Sequence, residues 1–335
     1  MQDFYGFFYE NKFFYKASFV LITSVIALFL AKKIFYNMGF VDKPNYRSNH
    51  KKPVSLGGGI IVIPLIIFTS EIYNYNWDKN VLITLTILFL ISLFDDIKNI
   101  KPLPRLLCHF SSIALFIVFY ITPQINDLIK QNIFIFYIST VFMIISVTWF
   151  INAFNFMDGI NGITAVETIS ICAALLLINY FLYKEVNLLA LAILSVTGVF
   201  CIFNWTPAKI FLGDSGSISL GFLSSFLLIE LAIAGFWLSA IILPLYYIID
   251  TSLTLLIRIL KREKFWQAHK EHFYQKAIQN GFTHSNVSLK LILINFGLFL
   301  LSFSALIYKN EIIFFIIGLV WCSFFMYLFS KKKLK

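Results

Sequence analysis

The sequence predicts an all-α, multi-pass membrane protein. Of its 335 residues, 59% are hydrophobic and only 13% are charged, whereas soluble domains are about half apolar and a quarter charged. Long apolar stretches recur along the whole chain, many near the roughly 20 residues that a helix needs to cross the hydrocarbon core. We therefore predict one integral-membrane domain over residues 1–335.

About eleven membrane-spanning helices are predicted. They cover residues 15–34, 57–73, 79–94, 105–122, 133–151, 163–182, 188–204, 218–234, 236–257, 287–307 and 311–330. The boundary near residue 235 is the weakest, because one long broken helix would give a similar pattern. The first segment is interpreted as a retained span, since no small-residue cleavage site follows it.

The positive charges orient these spans. Of the 27 Lys and Arg residues, 21 fall in the loops 32–56, 95–105, 205–217 and 258–290 and in the C-terminal tail. This is the side of the polar loops near 35–59, 95–105, 152–162, 205–217 and 258–286. The opposite side carries only Lys12, Lys16, Lys79, Lys130, Lys184 and Lys309. The positive-inside bias places the first side in the cytoplasm, so the N-terminus is predicted outside and the C-terminus cytoplasmic. The net charge of +10 then requires no nucleic acid, because topology and anionic lipid headgroups account for it.

Polar motifs occur at the predicted cytoplasmic ends of the spans. Asp95 and Asp96 end the third span, and adjacent carboxylates repel each other unless a cation is nearby. They can bind a metal ion or act as a general base. Alternatively, Lys98, Lys101 and Arg105 can neutralise them in a solvated surface cluster.

The amide-rich run at 152–162 also contains an aspartate. Asn152, Asn155 and Asp158 recur at intervals of three, which on a helix places them on one face. Their hard oxygen atoms suit Mg²⁺. A helix cap would need only one such side chain, so a ligand-binding face is the favoured interpretation.

A glycine-flanked aspartate, Asp214, opens the span that follows it. Its carboxylate can cap that helix, or the free backbone N–H groups there can meet an anion. These two possibilities remain open at the level of sequence.

Two basic motifs suit phosphate groups. Arg47, His50 and Lys51 precede a run of three glycines, a combination that favours a diphosphate-binding loop over ordinary positive-inside charge. His269 and His272 lie three residues apart in a second cytoplasmic loop. No HExxH zinc motif accompanies them, so contact with a diphosphate through His⁺ or a donated N–H is preferred.

Three acids lie inside apolar stretches: Glu167, Glu230 and Asp250. Ionisable groups at depth are costly and are usually paired or functional. Glu167 and Asp250 fall in the cytoplasmic half, where they can support the polar site from behind.

In their order and membrane positions, these motifs resemble those of the polyprenyl-phosphate N-acetylhexosamine-1-phosphate transferases, glycosyltransferase family 4. The motifs are Asp95-Asp96, NAFNFMDGING at 152–162, FLGDSGS at 211–217 and HKEHFYQ at 269–275. The resemblance implies transfer of a sugar-1-phosphate from a UDP-sugar to undecaprenyl phosphate in the inner (plasma) membrane, with release of UMP. HKEHFYQ is similar to the subgroup that initiates O-antigen, lipopolysaccharide and related cell-envelope polysaccharides.

The motifs and the resemblance together assign roles to individual residues. Asp95, Asp96 and Asp158 are expected to be catalytic, and Asn155 and Asp214 to bind Mg²⁺, with Mn²⁺ as an alternative. Substrate binding is expected at Arg47, His50, Lys51, Asn152, Asn161, His269 and His272. Many relatives carry Asp where this chain has Asn161, so this chain has no carboxylate at that position. A homodimer is compatible with the sequence.

Two rival functions are considered. A polytopic transporter would also carry intramembrane acids, but the dense polar motifs lie at the helix ends and not at mid-membrane. A non-catalytic scaffold would tolerate changes in them. For the enzyme, direct attack by the lipid phosphate, with Asp95 or Asp96 taking its proton, and a covalent aspartyl intermediate both remain open.

Overall fold

The protein is mostly helical in the part that the computed structural model describes, which is residues 13–42, 53–129, 133–264, 267 and 269–332. The first half contains α1 Phe13–Asn37, β1 Val41–Asp42, β2 Val54–Ser55, α2 Gly58–Ile72, α3 Lys79–Lys98, α4 Pro102–Phe116, α5 Thr122–Ile129 and α6 Ile133–Met157. The second half contains α7 Ile163–Tyr183, α8 Leu188–Asn204, α9 Asp214–Ile233, α10 Trp237–Ile242, α11 Leu245–Leu260, α12 Phe273–Gln279, α13 His284–Tyr308 and α14 Glu311–Ser330. The predicted all-α polytopic class is confirmed.

Eight helical segments in the described residues are long and apolar enough to cross a bilayer. They are 13–37, 79–98, 102–125, 133–157, 163–183, 214–233, 284–308 and 311–330. Two shorter apolar helices, α2 and α8, and the pair α10–α11 coincide with the remaining predicted spans. The number of crossings and the sides of the termini stay predictions.

The segment after α9 is broken twice. Gly235 has φ +100°, a left-handed conformation that glycine adopts without steric cost, and it separates α9 from α10. Pro244 then lies directly before α11. Proline lacks the N–H that a continuous helix would need, so the helix is interrupted there. The predicted uninterrupted span 236–257 is therefore two helices.

Helix α9 is the centre of the bundle. It packs against α2, α3 and α6 and is the most deeply buried of the eight candidate spans. Small residues fill its first turns, and a Cβ on Gly59 of α2 would clash with the backbone of Gly216. The two helices approach this closely only because both positions are glycine.

A short backbone ladder aligns the starts of α2 and α9. The Phe211 N–H donates to the Ser55 carbonyl at 2.8 Å. In the reverse direction, the Gly58 N–H donates to the Phe211 carbonyl at 2.7 Å and the Gly59 N–H to the Leu212 carbonyl at 2.8 Å. The beginning of α2 therefore lies directly beside Gly213 and Asp214.

Candidate functional site

Three helix ends meet at one arginine. Arg105, in the first turn of α4, forms an ion pair with Asp95 in the last turn of α3, and its Nη1 lies 2.7 Å from Oδ2 of Asp214. Asp95 Oδ1 also accepts from the Ile100 N–H at 2.6 Å. Asp95 is only 7% exposed, so it is buried and not solvated, whereas the neutralisation by Arg105 that the surface-cluster alternative named is present. Arg105 joins two carboxylates from different helices.

The second aspartate of the pair caps α9 from outside. Asp96 accepts from the Asp214 N–H at 2.7 Å and from the Ser215 N–H at 3.0 Å. These are orphan donors at a helix N-terminus, where a negative charge is stabilising. Gly213 has φ +79°, and a Cβ there would lie 2.8 Å from Asp96 Oδ2. Asp96 therefore does the capping, and the carboxylate of Asp214 is left to face Arg105.

The end of α6 completes the cluster. Asn155 Nδ2 donates to Ser217 Oγ at 3.0 Å, and the Asn155 amide also interacts with the Asp214 carboxylate. The spacing predicted that Asp158 shares one helical face with Asn155. Helix α6 ends at Met157, so Asp158 lies in the turn after the helix and this prediction is wrong. Asp214 is the common member of the cluster: Asp96 and Asn155 contact it. Arg105 joins it to Asp95.

Asp158 lies close enough to these acids to interact with them. Burial raises the pKa of its carboxyl to about 8, the Thr164 hydroxyl opposes that rise, and the Asp214 and Asp96 charges add to it. With no cation bound, its protonated form therefore predominates at neutral pH.

The oxygen ligands of the cluster fit a hard divalent cation whose remaining coordination positions are filled by substrate phosphates. Within the described residues, no three His, Cys, Asp or Glu side chains form a ready-made metal cage. Mg²⁺ is usually held by one or two carboxylates and keeps sites for water and substrate phosphates. Asp214, with Asn155 beside it and Asp95 across Arg105, supplies a set of this kind.

Two predicted substrate-binding amides hydrogen-bond to other groups of the protein. Asn152 is buried and its Nδ2 donates to the Thr148 carbonyl of its own helix at 2.7 Å. Asn161 donates from its side-chain Nδ2 to Thr206 Oγ1 at 3.3 Å. Its backbone carbonyl accepts from Ser288 Oγ at 2.9 Å. The structure does not bring the N–H groups of Asn152 to the carboxylate cluster. Substrate contact by these two residues stays a prediction.

The two histidines lie side by side but differ in environment. Their ring centroids are 4.9 Å apart. His272 is buried and its Nδ1 lies 3.2 Å from Asp250 Oδ1. His269 accepts from the Glu271 N–H through Nδ1, and burial, with His272 and Arg258 adding, lowers its pKa to about 4. His269 is therefore neutral near pH 7, which favours a donated N–H over His⁺ as its mode of contact.

The histidine segment rests on the end of α6. The His272 ring stacks on Phe156 with centroids 6.3 Å apart, and the Tyr274 hydroxyl donates to the Phe156 carbonyl at 2.9 Å. Phe156 lies between Asn155 and Asp158 in sequence. The histidine segment therefore contacts the end of the helix that carries Asn155.

Three predicted site residues lie outside the part of the chain that the structure describes, and two residues that were not predicted as catalytic or binding residues lie at the site. Arg47, His50 and Lys51 lie outside the described residues. Arg105 and Asp250 were not among the predicted catalytic, metal or substrate-binding residues, although the sequence offered Arg105 as a cation for Asp95 and Asp96 and Asp250 as a support behind the site. Each had a visible signal: Arg105 is a cation just inside a span that follows two acids, and Asp250 is an acid inside an apolar stretch.

The fold and this site define a multi-pass membrane protein with carboxylates, an amide and histidines gathered at one end of its helices. Residues 80–232 match the family model described as glycosyl transferase family 4.

Three curated relatives match most of the chain. A probable undecaprenyl-phosphate N-acetylglucosaminyl 1-phosphate transferase of Bacillus subtilis (strain 168) is 26% identical over 321 residues, covering 91% of this chain and 86% of the relative. A phospho-N-acetylmuramoyl-pentapeptide-transferase of Limosilactobacillus reuteri (strain DSM 20016) is 26% identical over 332 residues, covering 90% and 91%. An undecaprenyl-phosphate alpha-N-acetylglucosaminyl 1-phosphate transferase of Yersinia pestis is 25% identical over 284 residues, covering 79% and 76%. The family model and these relatives support the polyprenyl-phosphate N-acetylhexosamine-1-phosphate transferase family that the motifs resemble.

Proposed function

We propose that this protein transfers an N-acetylhexosamine-1-phosphate, or a 6-deoxy relative, from a UDP-sugar to undecaprenyl phosphate and releases UMP. The observation that carries the proposal is the meeting of Asp95, Asp96, Asn155 and Asp214 at the junction of α3, α6 and α9. Two phosphorylated substrates bring several negative charges together, and such a junction suits the cation that they need. The site faces the cytoplasm in the proposed orientation, where positive loops predominate.

The reaction requires positioning and charge neutralisation more than covalent help from the protein. An oxygen of the lipid phosphate attacks the sugar-bearing β-phosphorus of the UDP-sugar, and the bond from that phosphorus to the bridging oxygen breaks. UMP leaves with the bonding electron pair, and a lipid diphosphosugar remains. One diphosphate linkage replaces another, so no further energy source is required.

Asp214 and Asn155 would hold Mg²⁺, with Asp95 adjacent to it. When bound, the cation offsets the charge that develops on the departing UMP. Both oxygens of Asp96 accept from the N–H groups that begin α9. Asp96 therefore holds the backbone of Asp214 in place. This makes Asp96 a positioning residue more than a base.

We assign to Asp158 the removal of the proton from the attacking lipid phosphate. Both oxygens of Asp95 are engaged by Ile100 and Arg105, whereas Asp158 has a carboxyl whose raised pKa lies near the working pH. A phosphate monoester is already largely anionic near neutral pH, which favours direct attack over a covalent aspartyl intermediate.

The donor class rests on the histidine segment and on the relatives. HKEHFYQ resembles the subgroup that initiates O-antigen and other cell-envelope polysaccharides, and two relatives are named for N-acetylglucosaminyl 1-phosphate transfer. We therefore place UDP-N-acetylglucosamine first among the donors to be tried.

A panel assay tests the proposal. Purified protein in detergent receives undecaprenyl phosphate, Mg²⁺ and one of several UDP-N-acetylhexosamines, and each reaction is repeated in EDTA and with Mn²⁺. We expect a sugar-bearing lipid and an equal amount of UMP from one donor, with no product in EDTA. Uptake of a solute into proteoliposomes without any lipid product would instead support a transporter.

A further inference from the structure

Asp250 is the most heavily hydrogen-bonded acid in the part of the chain that the structure describes. It lies in α11 and is fully buried. Its carboxylate accepts from Tyr246 Oη at 3.1 Å, Thr254 Oγ1 at 3.3 Å, His272 Nδ1 at 3.2 Å, the Phe273 N–H at 2.9 Å and the Tyr274 N–H at 3.1 Å.

Three of these five donors belong to the histidine segment. They are the side chain of His272 and the first two backbone N–H groups of α12. Such N–H groups have no partner inside their own helix, and a carboxylate stabilises them. Because α12 has only seven residues, it is far shorter than a helix that persists alone. Asp250 therefore fixes both the position of α12 and the orientation of the His272 ring.

The fixed segment reaches the carboxylate cluster through Tyr274. Its hydroxyl donates to the Phe156 carbonyl at 2.9 Å, and a Cβ on Gly159 would clash with that hydroxyl. Phe156 and Gly159 flank Met157 and Asp158. A displacement of α12 would therefore move both the histidines and the turn that carries Asp158.

A second buried acid shows that this arrangement is specific. Glu167 is also fully buried, but its hydrogen bond comes from Asn295 Nδ2 at 2.7 Å, in α13, and none comes from the histidine segment. The two carboxylates share burial and differ in what they hold.

We propose that Asp250 is a positioning residue for phosphosugar transfer: it holds His272 by Nδ1 and α12 by its first N–H groups, and so sets the histidine pair against the substrate diphosphate. The inference rests on the proposed function, since it names the residue that organises one half of that site. Asp250 itself touches no substrate in this proposal.

The test combines kinetics with a measurement that does not depend on activity. Asp250→Asn keeps the shape of the side chain and removes its charge, and Glu167→Gln is the matched control at a buried acid. Because small displacements at a reacting centre can cost about 100-fold in rate, we expect kcat to fall by about that factor in Asp250→Asn, and to change little in Glu167→Gln. Asp250→Glu should recover part of the loss.

A double-mutant cycle separates positioning from general destabilisation. If Asp250 acts through His272, adding His272→Ala to Asp250→Asn should cost little beyond the larger single effect, since residues that act as a unit are non-additive. Losses that multiply would overturn the proposed coupling.

Hydrogen–deuterium exchange distinguishes failure of this inference from failure of the proposed function. Residues 269–279 should exchange faster in Asp250→Asn than in wild type or Glu167→Gln. Unchanged exchange would overturn the positioning role even if the enzyme is active. Faster exchange in Asp250→Asn, together with a wild-type protein that makes no lipid product from any donor, would leave Asp250 as the anchor of α12 and would refute the transferase function.

Discussion

At the scale of single residues, three aspartates of one cluster make three different sets of contacts. Asp95 pairs with Arg105, Asp96 caps α9, and Asp214 faces Arg105 and the Asn155 amide. The motifs in the sequence predicted that these residues matter. The division of roles depends on contacts across 118 positions of sequence, from Asp96 to Asp214, and no local pattern reports such contacts.

Asp214→Asn tests the metal assignment. Asn is isosteric but carries no charge, so we expect transfer to fall by at least about 100-fold, the scale of losing one charge-stabilising group. The direct measurement is Mn²⁺ binding by electron paramagnetic resonance, which should weaken in parallel.

Asp78→Asn is the control for that substitution. Asp78 caps α3 by accepting from the Asn80 N–H at 2.7 Å, and Asn caps a helix about as well as Asp. Normal activity and Mn²⁺ affinity are expected there. Unweakened Mn²⁺ binding in Asp214→Asn would remove Asp214 from the metal site.

The raised pKa of Asp158 predicts a pH dependence. An acid accepts a proton only in its deprotonated form, and with a pKa of about 8 that form increases as the pH rises. A bound cation stabilises the carboxylate and lowers this pKa. The pH profile of kcat/KM should therefore rise to an inflection at or below about 8, and Asp158→Asn should lack this inflection. The same rising profile in both proteins would exclude Asp158 as the base.

At the scale of elements, apolar length predicted most helices. Their ends were harder to predict, because they depend on tertiary contacts. The break at Pro244 divides a continuous apolar run. Helix α12 exists as a fixed element because Asp250 in α11 accepts from its first N–H groups. A one-dimensional pattern contains the acid but not its distance from the segment that it holds.

The approach of α2 to α9 gives an element-scale prediction. A Cβ at Gly59 would clash with the backbone of Gly216, and overpacking of this kind costs about 1–3 kcal/mol or more. Gly59→Ala should therefore lower the thermal unfolding temperature in detergent and should reduce transfer, because α9 carries Asp214. Gly198→Ala in α8 is the control, since no atom outside its chain neighbours and the nearby backbone of its own helix lies within 4 Å of its added methyl group. Equal stability of the two variants would contradict the proposed close packing.

At the scale of the whole molecule, the bundle brings distant motifs together at one end. Helix α9 provides Asp214, α3 and α4 provide Asp95, Asp96 and Arg105, and α6 provides Asn155. The class of fold followed from composition, and the resemblance to the family followed from motif order. The membrane orientation follows from charge bias alone and stays a prediction.

The central claim is that phosphorus moves together with the sugar. The most direct measurement uses a UDP-N-acetylhexosamine that carries ³²P in the β-phosphate and ³H in the sugar, with undecaprenyl phosphate as acceptor. We predict that both labels enter the lipid extract in equal amounts while unlabelled UMP is released. Tritium in the lipid without ³²P, accompanied by labelled UDP, would show plain glycosyl transfer and would contradict the account.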